Sequence, residues 1–387
     1  VQRRPRTIAA LSCLVLLAIA APATALRLGS SDASNDPASR TTHRAYELLA
    51  EGFGQGFNGP LQVVAKVPHG TATTAALAGL RKALESTRDV ASVTPARVSP
   101  SGEVATFSVY PNSSPQAYAT TQLVERLRED VVPPIVASTK MTVYVGGVTA
   151  GAVDFASTLG HKLPLFIGVV VLLSALLLMV VFRSLLIPLQ AAAMNLLSIS
   201  AALGVIVAIF QWGWLSGLMG VEKGPIESFI PVMLFAIVFG LSMDYEVFLI
   251  SRIHERWRQT LDGNRAVGEG LALTGRVITA AAAIMVLVFL SFMLGEERVI
   301  KEFGLSLASA VFLDALVVRC LLLPAVLHLV GERTWWIPAW LDRVLPRLNI
   351  EGTELPADAP PEGEAPPHTP PAGAPRSPRP ATEGAEG

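Results

Sequence analysis

The chain is poor in cysteine and in charge. Only Cys13 and Cys320 occur among 387 residues, and Asp, Glu, Lys and Arg together make up 16%. Both cysteines fall in long apolar stretches without metal-ligand spacing, which excludes a disulfide framework and a cysteine-based zinc site. Thirty Lys and Arg against thirty-one Asp and Glu give a net charge of −1, so the basic excess expected of a nucleic-acid-binding protein is missing. His161 and His328 read as interface histidines rather than ligands. What is present is hydrophobic sequence, 51% of the chain, in blocks of about twenty residues, the length that crosses a hydrocarbon core of about 30 Å as a helix. The fold class is therefore a polytopic α-helical membrane protein.

Six spans are predicted: Ile8 to Leu26, Leu165 to Phe182, Leu185 to Phe210, Phe229 to Ile250, Val277 to Leu294 and Phe303 to Leu329. Arginines gather before the first (Arg3, Arg4, Arg6) and after the second (Arg183). More come after the fourth (Arg252, Arg256, Arg258, Arg265, Arg276) and the sixth (Arg333, Arg343, Arg347). The positive-inside rule makes those ends cytoplasmic, and the connection between the first two spans extracytoplasmic. The first span, with Ala23-Thr24-Ala25 at its end, also fits a cleavable secretory signal, and the segment after it faces outward in either case.

The expected organisation is a first span at 1–26, an extracytoplasmic domain at 27–160, a five-span bundle at 161–334, an interfacial aromatic segment at 335–352 and a disordered cytoplasmic tail at 353–387. In the domain, strand signals at Leu61–Val67, Ala91–Val98, Val104–Tyr110 and Met141–Gly146 alternate with helix signals at Thr71–Thr87 and Pro115–Val131. The order is β-α-β-β-α-β. Apolar stripes Ala76, Leu77, Leu80, Leu84 and Tyr118, Leu123, Val124, Leu127 suit packing on a sheet. Trp257, and then Trp335, Trp336 and Trp340, suit headgroup level. The Pro, Gly, Ala and Glu of the tail offer too little apolar surface to offset ordering entropy.

The chemistry lies in the spans. Asp244 and Tyr245 sit within the fourth, where a carboxylate costs about 2.5 to 3.5 kcal/mol to insert. Asp244 precedes Arg252 by eight residues, placing it about 12 Å above the cytoplasmic boundary. Asp314 and Arg319 occupy the sixth span. Being five apart, they turn about 140° on an α-helix and make a poor pair on their own helix, so Arg319 is expected to meet Asp244 across helices. Tyr245 can donate its hydroxyl to a carboxylate. Gly240, one turn before Asp244, permits close approach of another helix. Glu246 is expected nearer the cytoplasmic interface.

The run Phe239-Gly240-Leu241-Ser242-Met243-Asp244-Tyr245-Glu246-Val247-Phe248-Leu249, followed by Ser251-Arg252-Ile253, resembles the MMPL branch of the RND transporters. So do Thr274-Gly275-Arg276-Val277-Ile278-Thr279-Ala280-Ala281-Ala282, Ile300-Lys301-Glu302-Phe303-Gly304-Leu305, Leu313-Asp314-Ala315 with Val318-Arg319, Leu323-Pro324-Ala325 and Trp335-Trp336-Ile337-Pro338. The resemblance reaches to about Glu351 and is to the C-terminal half of a protein with two similar halves, each a span, an outer porter domain and five more spans. It implies proton-driven export of lipids or other hydrophobic molecules, with Asp244, Tyr245, Asp314 and Arg319 as the proton relay. No cofactor is implied beyond the proton gradient. The Asp-Tyr pair of the other half has no counterpart here, so the resemblance implies a separate half-transporter as partner, a homodimer, or a partial product inactive alone.

Two other readings remain. An intramembrane aspartyl protease needs two carboxylates sharing a proton, but Asp314 lacks a Gly-x-Gly lead-in and an arginine sits beside it. A non-transporting lipid-binding sensor or accessory subunit would tolerate Asp244→Asn.

Overall fold

The computed structural model describes residues 3–67, 73–260 and 262–344. Helix α1 (Pro5–Ala20) leads into β1 (Leu28–Gly29) and α2 (Thr41–Phe53). Then come β2 (Leu61–Lys66), α3 (Thr73–Glu85), β3 (Val90–Val93), β4 (Arg97–Val98), β5 (Val104–Pro111), α4 (Tyr118–Arg126), α5 (Val132–Thr139) and β6 (Thr142–Gly146). The rest is α6 (Val148–Phe182), α7 (Leu186–Ile206), α8 (Ser216–Met219), β7 (Ile226–Glu227), α9 (Ile230–Thr260), α10 (Gly263–Ser291), α11 (Arg298–Leu313), α12 (Leu323–Val330) and α13 (Ala339–Val344). Six helical segments are long and apolar enough to cross a membrane: Pro5–Ala25, Val148–Phe182, Leu186–Gln211, Ile230–Thr260, Arg265–Leu294 and Arg298–Val330. The protein is a polytopic helical membrane protein.

The sheet of the α+β domain runs β3-β5-β2-β6, antiparallel throughout, with Val63 opposite Phe107 on one side and Val145 on the other. All three point into a core closed by Leu77, Leu80 and Leu84 of α3 and by Leu123, Val124 and Leu127 of the second helical layer. Tyr118 is exposed instead, since it opens α4 rather than joining the stripe. The strand expected over Ala91–Val98 is split into β3 and β4 around Pro95, which lacks the N–H a continuous ladder needs. Likewise the second helix does not stop at Val131. It passes through a π turn at Leu127–Val131 into α5, where Pro133 and Pro134 withhold two helix donors.

Helix α6 differs most from expectation. It starts at Val148, well before Leu165, and continues for 35 residues through Pro164, about 52 Å at the helical rise. One rod thus joins the sheet to the membrane. Its first turns carry Asp154, Ser157, His161 and Lys162, so no apolar block announces them. Within the bundle, α7 and the span from Arg298 are mostly buried, whereas α6 and α10 leave Leu172, Leu173, Leu177, Ile284 and Leu287 exposed, as suits lipid contact.

Two features tie the ends of the bundle together. First, α1 and α7 touch at Gly204, where a Cβ would stand 1.9 Å from the Ile19 carbonyl oxygen. Gly204→Ala forces these backbones apart and is expected to destabilise by about 1–3 kcal/mol, read as a lower thermal midpoint in detergent. Second, β1 pairs with β7 in parallel, and Arg298, at 2% exposure, grips that ribbon. Its guanidinium donates to Glu302 at 3.2 Å, Ser31 Oγ at 3.0 Å and the Pro225 carbonyl at 2.9 Å. Glu302 in turn accepts from the Glu227 N–H at 3.0 Å. The sequence singles out no such cluster, although Arg298 and Glu302 are spaced four apart on one helix.

At the other end, Trp335 stacks on Trp257 at 5.4 Å and lies 4.5 Å from the His254 ring. The Leu185 N–H donates to the Trp336 carbonyl. The tail at 353–387 and the last residues of the aromatic segment lie outside the described residues.

Candidate functional site

Helix α9 has two faces. Phe235, Val238, Phe239, Ser242, Met243, Glu246, Leu249, Ile250 and Ile253 are buried at three- and four-residue intervals, the spacing that puts them on one side of a helix. The other side exposes Met233, Gly240, Asp244 and Phe248. A Cβ built at Gly240 meets nothing within 4 Å, so this face is smooth and uncovered in the single chain.

The expected Asp244–Arg319 pair is not formed. Asp244 is exposed, and Arg319 instead donates from Nε to Asp314 Oδ2 at 2.8 Å. The reason is local. Residues Asp314–Leu322 form a π-helix, whose i→i+5 bonding stacks residues five apart, where an α-helix would turn them away from each other. The charges thus meet on their own helix, with Asp314 at 6% and Arg319 at 3% exposure.

Around this pair the spans supply polar contacts. Arg319 Nη2 donates to the Ser242 carbonyl and, at 2.9 Å, to Ser242 Oγ. That hydroxyl donates to Asn195 Oδ1 at 2.5 Å, and the Asn195 amide donates to Glu246 Oε2 at 3.4 Å. Tyr245 lies with its ring 5.3 Å from the Arg319 guanidinium carbon, a cation–π distance. Its hydroxyl reaches Met285 Sδ at 3.7 Å rather than the expected carboxylate. Glu246, on the buried face of α9, is 5% exposed.

The pair is not saturated. Asp314 Oδ1 and Arg319 Nη1 are buried without a hydrogen-bond partner among the described residues. Beside them is a cavity of about 10 Å³ lined by Ser242, Tyr245, Met285, Asp314 and Arg319, room for about one water molecule. The arrangement combines a buried acid–base pair, a spare donor, a spare acceptor and an open acid one helix face away. Asn195, Ser242 and Glu246 are members that sequence reasoning missed. Their signal was present: three polar residues within apolar spans, two of them four apart.

A larger cavity, about 560 Å³, lies where the α+β domain meets the bundle, lined among others by Arg27, Asn58, Gln116, Tyr118, Ala152 and Ala156. One wall is α6. Among the described residues no group of three or more His, Cys, Asp or Glu is placed to hold a metal.

Residues 34–347 match the model of the MMPL family. The chain is 39% identical over 364 residues to membrane protein YdfJ of Bacillus subtilis, covering 94% of this chain and 50% of that protein. It is 34% identical to the mycolic acid-containing lipids exporter MmpL11 of Mycolicibacterium smegmatis, over 91% of this chain and 37% of the exporter. A third relative, heme uptake protein MmpL11 of Mycobacterium tuberculosis, is also 34% identical, over 91% of this chain and 36% of its own length. The chain thus spans half or less of each of these relatives, and over nearly all of its own length the match holds: the chain belongs to the MMPL family.

Proposed function

We propose that the chain is one half of a proton-driven transporter that moves lipids or other large hydrophobic molecules across the cytoplasmic membrane. The observation that carries this reading is the pairing of an uncovered Asp244 with the unsaturated Asp314–Arg319 set behind it. A carboxylate on an apolar helix face is costly against lipid, and the cost is removed if a second bundle covers that face. A second half, or a second copy, seated over Met233, Gly240 and Phe248 brings its own polar groups to Asp244 and closes a proton path. Asp244, Tyr245, Asp314 and Arg319 then form this half's relay. Each proton moving with the membrane potential supplies about 2.3 kcal/mol per 100 mV, enough over a few protons to drive a conformational cycle.

In this reading the α+β domain is the extracytoplasmic porter domain and the segment after α12 is cytoplasmic, in keeping with the arginine distribution. The cavity beside α6 suits an amphiphile, with Arg27, Asn58 and Gln116 for a polar end and the alanine face of α6 for an apolar one. Relatives named for mycolic lipids and for heme handle molecules of that character.

Native mass spectrometry of the chain from nanodiscs tests the assembly. We expect a dimer, or a stable pair with another half-transporter. A monomer under membrane-like conditions with no proton-dependent lipid flux in vesicles would overturn the reading and favour an accessory lipid-binding subunit.

A further inference from the structure

Arg298 takes no part in the proton path just proposed, yet its side chain is 2% exposed and bonded through all three guanidinium nitrogens. Of its four hydrogen bonds among the described residues, only the one to Glu302 stays on α11. The others leave it. They go to Ser31 Oγ at 3.0 Å, between β1 and α2, and to the Pro225 and Glu222 carbonyls at 2.9 and 3.2 Å, just before β7. The planar fork of an arginine fixes several acceptors at once, where a lysine ammonium acts as a point charge.

The segments held in this way form a wall of the 560 Å³ cavity, which residues 27–32 and Pro225 line. Here the Ile226 N–H donates to the Arg27 carbonyl at 2.9 Å and the Ser228 N–H to the Gly29 carbonyl at 3.0 Å. Gly29 passes so close that a Cβ would stand 2.6 Å from Pro225 Cγ. With two residues in each strand, the ribbon is too short to hold itself. Its position is set by α11, through Arg298 and through Glu302, which accepts the Glu227 N–H, while the Glu227 carboxylate accepts the Ser31 N–H.

The same helix ends on the Asp314–Arg319 pair. Arg298–Leu313 runs without proline or break into the π segment Asp314–Leu322, about 24 Å from Arg298 to Asp314 at the helical rise. The i→i+5 bonding there keeps the pair in register, and relaxing to i→i+4 turns one end of the segment against the other. An unbroken helix has no kink in which to absorb that turn. At Gly304 it is also pressed on α10, where a Cβ would stand 2.7 Å from the Phe289 carbonyl oxygen.

We infer that Arg298 is a positioning residue that couples the cavity to the buried pair: it fixes the β1–β7 wall to α11, so that a change of register at Asp314–Arg319 moves that wall. That the coupling serves transport rests on the proton-driven reading; the mechanical link does not.

The test is hydrogen exchange, read by mass spectrometry, of the full chain in nanodiscs of phosphatidylethanolamine and phosphatidylglycerol. The pair is perturbed by Asp314→Leu with Arg319→Met, or by Asp314→Asn should that double variant not fold. We expect exchange over residues 27–32 and 225–228 to quicken by at least about fivefold, the lower end of usual coupling between sites, with residues 104–111 of the sheet unchanged. In an Arg298→Lys background the same perturbation should change the ribbon by less than about twofold, the limit for independent sites. Should Arg298→Lys leave the ribbon without protection, Ser31→Ala replaces it and must cut the response at least about twofold. A clamp that served stability alone would lower protection in Arg298→Lys and leave the response intact. Unchanged or slowed exchange on perturbing the pair, quickening that extends to the sheet, or a response that survives both Arg298→Lys and Ser31→Ala overturns the inference. Because no readout uses transport, absent coupling beside intact proton-driven flux sinks this inference alone, and coupling without flux sinks the functional reading alone.

Discussion

Asp244→Asn is expected to reduce proton-driven flux to the level of protein-free vesicles while changing the unfolding free energy by less than about 0.5 kcal/mol, as for other exposed substitutions without a bonded partner. The two halves of that expectation come from the same fact. Asp244 is exposed and makes none of the contacts that hold α9 in the bundle, which are supplied by the opposite face from Phe235 to Ile253. Asparagine keeps the size and polarity and removes only the ability to bind and release a proton. If Asp244 served packing between two bundles alone, the amide would substitute well, and flux would persist. The measurement is lipid or dye flux from vesicles under an imposed proton gradient, beside thermal unfolding of the same preparation. Unchanged flux would remove Asp244 from the relay.

The expected loss does not depend on an Asp244–Arg319 contact, the geometry that the sequence suggests and the fold replaces. The spans are legible in the sequence because a membrane helix needs about twenty apolar residues in a row, a signal that survives without any partner. The sheet is legible for a similar reason. Alternation in Val104–Pro111 buries Ala105, Phe107 and Val109 whatever the domain packs against. The site is legible only as a set of residue types. Asp314 and Arg319 look like a poor local pair as long as an α-helical turn lies between them, and the π register at Asp314–Leu322 leaves no mark in propensity. The one clue is energetic: two opposite charges in one apolar span must each find a partner, and the nearest is on the same helix. Glu246 escapes for another reason. In a span apolar on every side, hydrophobic pattern does not say which face is interior, and only the bundle around α9 decides that Glu246 points in and Asp244 points out.

The Asp314–Arg319 pair offers the sharpest separation of stability from function. Arg319→Met alone leaves Asp314 as an unpaired buried carboxylate, and Asp314→Leu alone leaves an unpaired guanidinium; each should destabilise by about 3–5 kcal/mol. The double variant, Asp314→Leu with Arg319→Met, removes both charges and fills the space with side chains of similar bulk. Replacing a buried ion pair by packed apolar residues is commonly neutral or stabilising by about 1–4 kcal/mol, so the double variant should regain most of the lost thermal midpoint. Flux should remain absent in all three. Such a result means that the pair is not retained for stability, since an apolar core serves as well, and that its charges are used. The orphaned Asp314 Oδ1 and Arg319 Nη1 point the same way, because a network kept only for packing specificity gains nothing from a spare donor and a spare acceptor side by side. Flux restored together with stability in the double variant would reduce the pair to a packing device and leave Asp244 to carry protons without it.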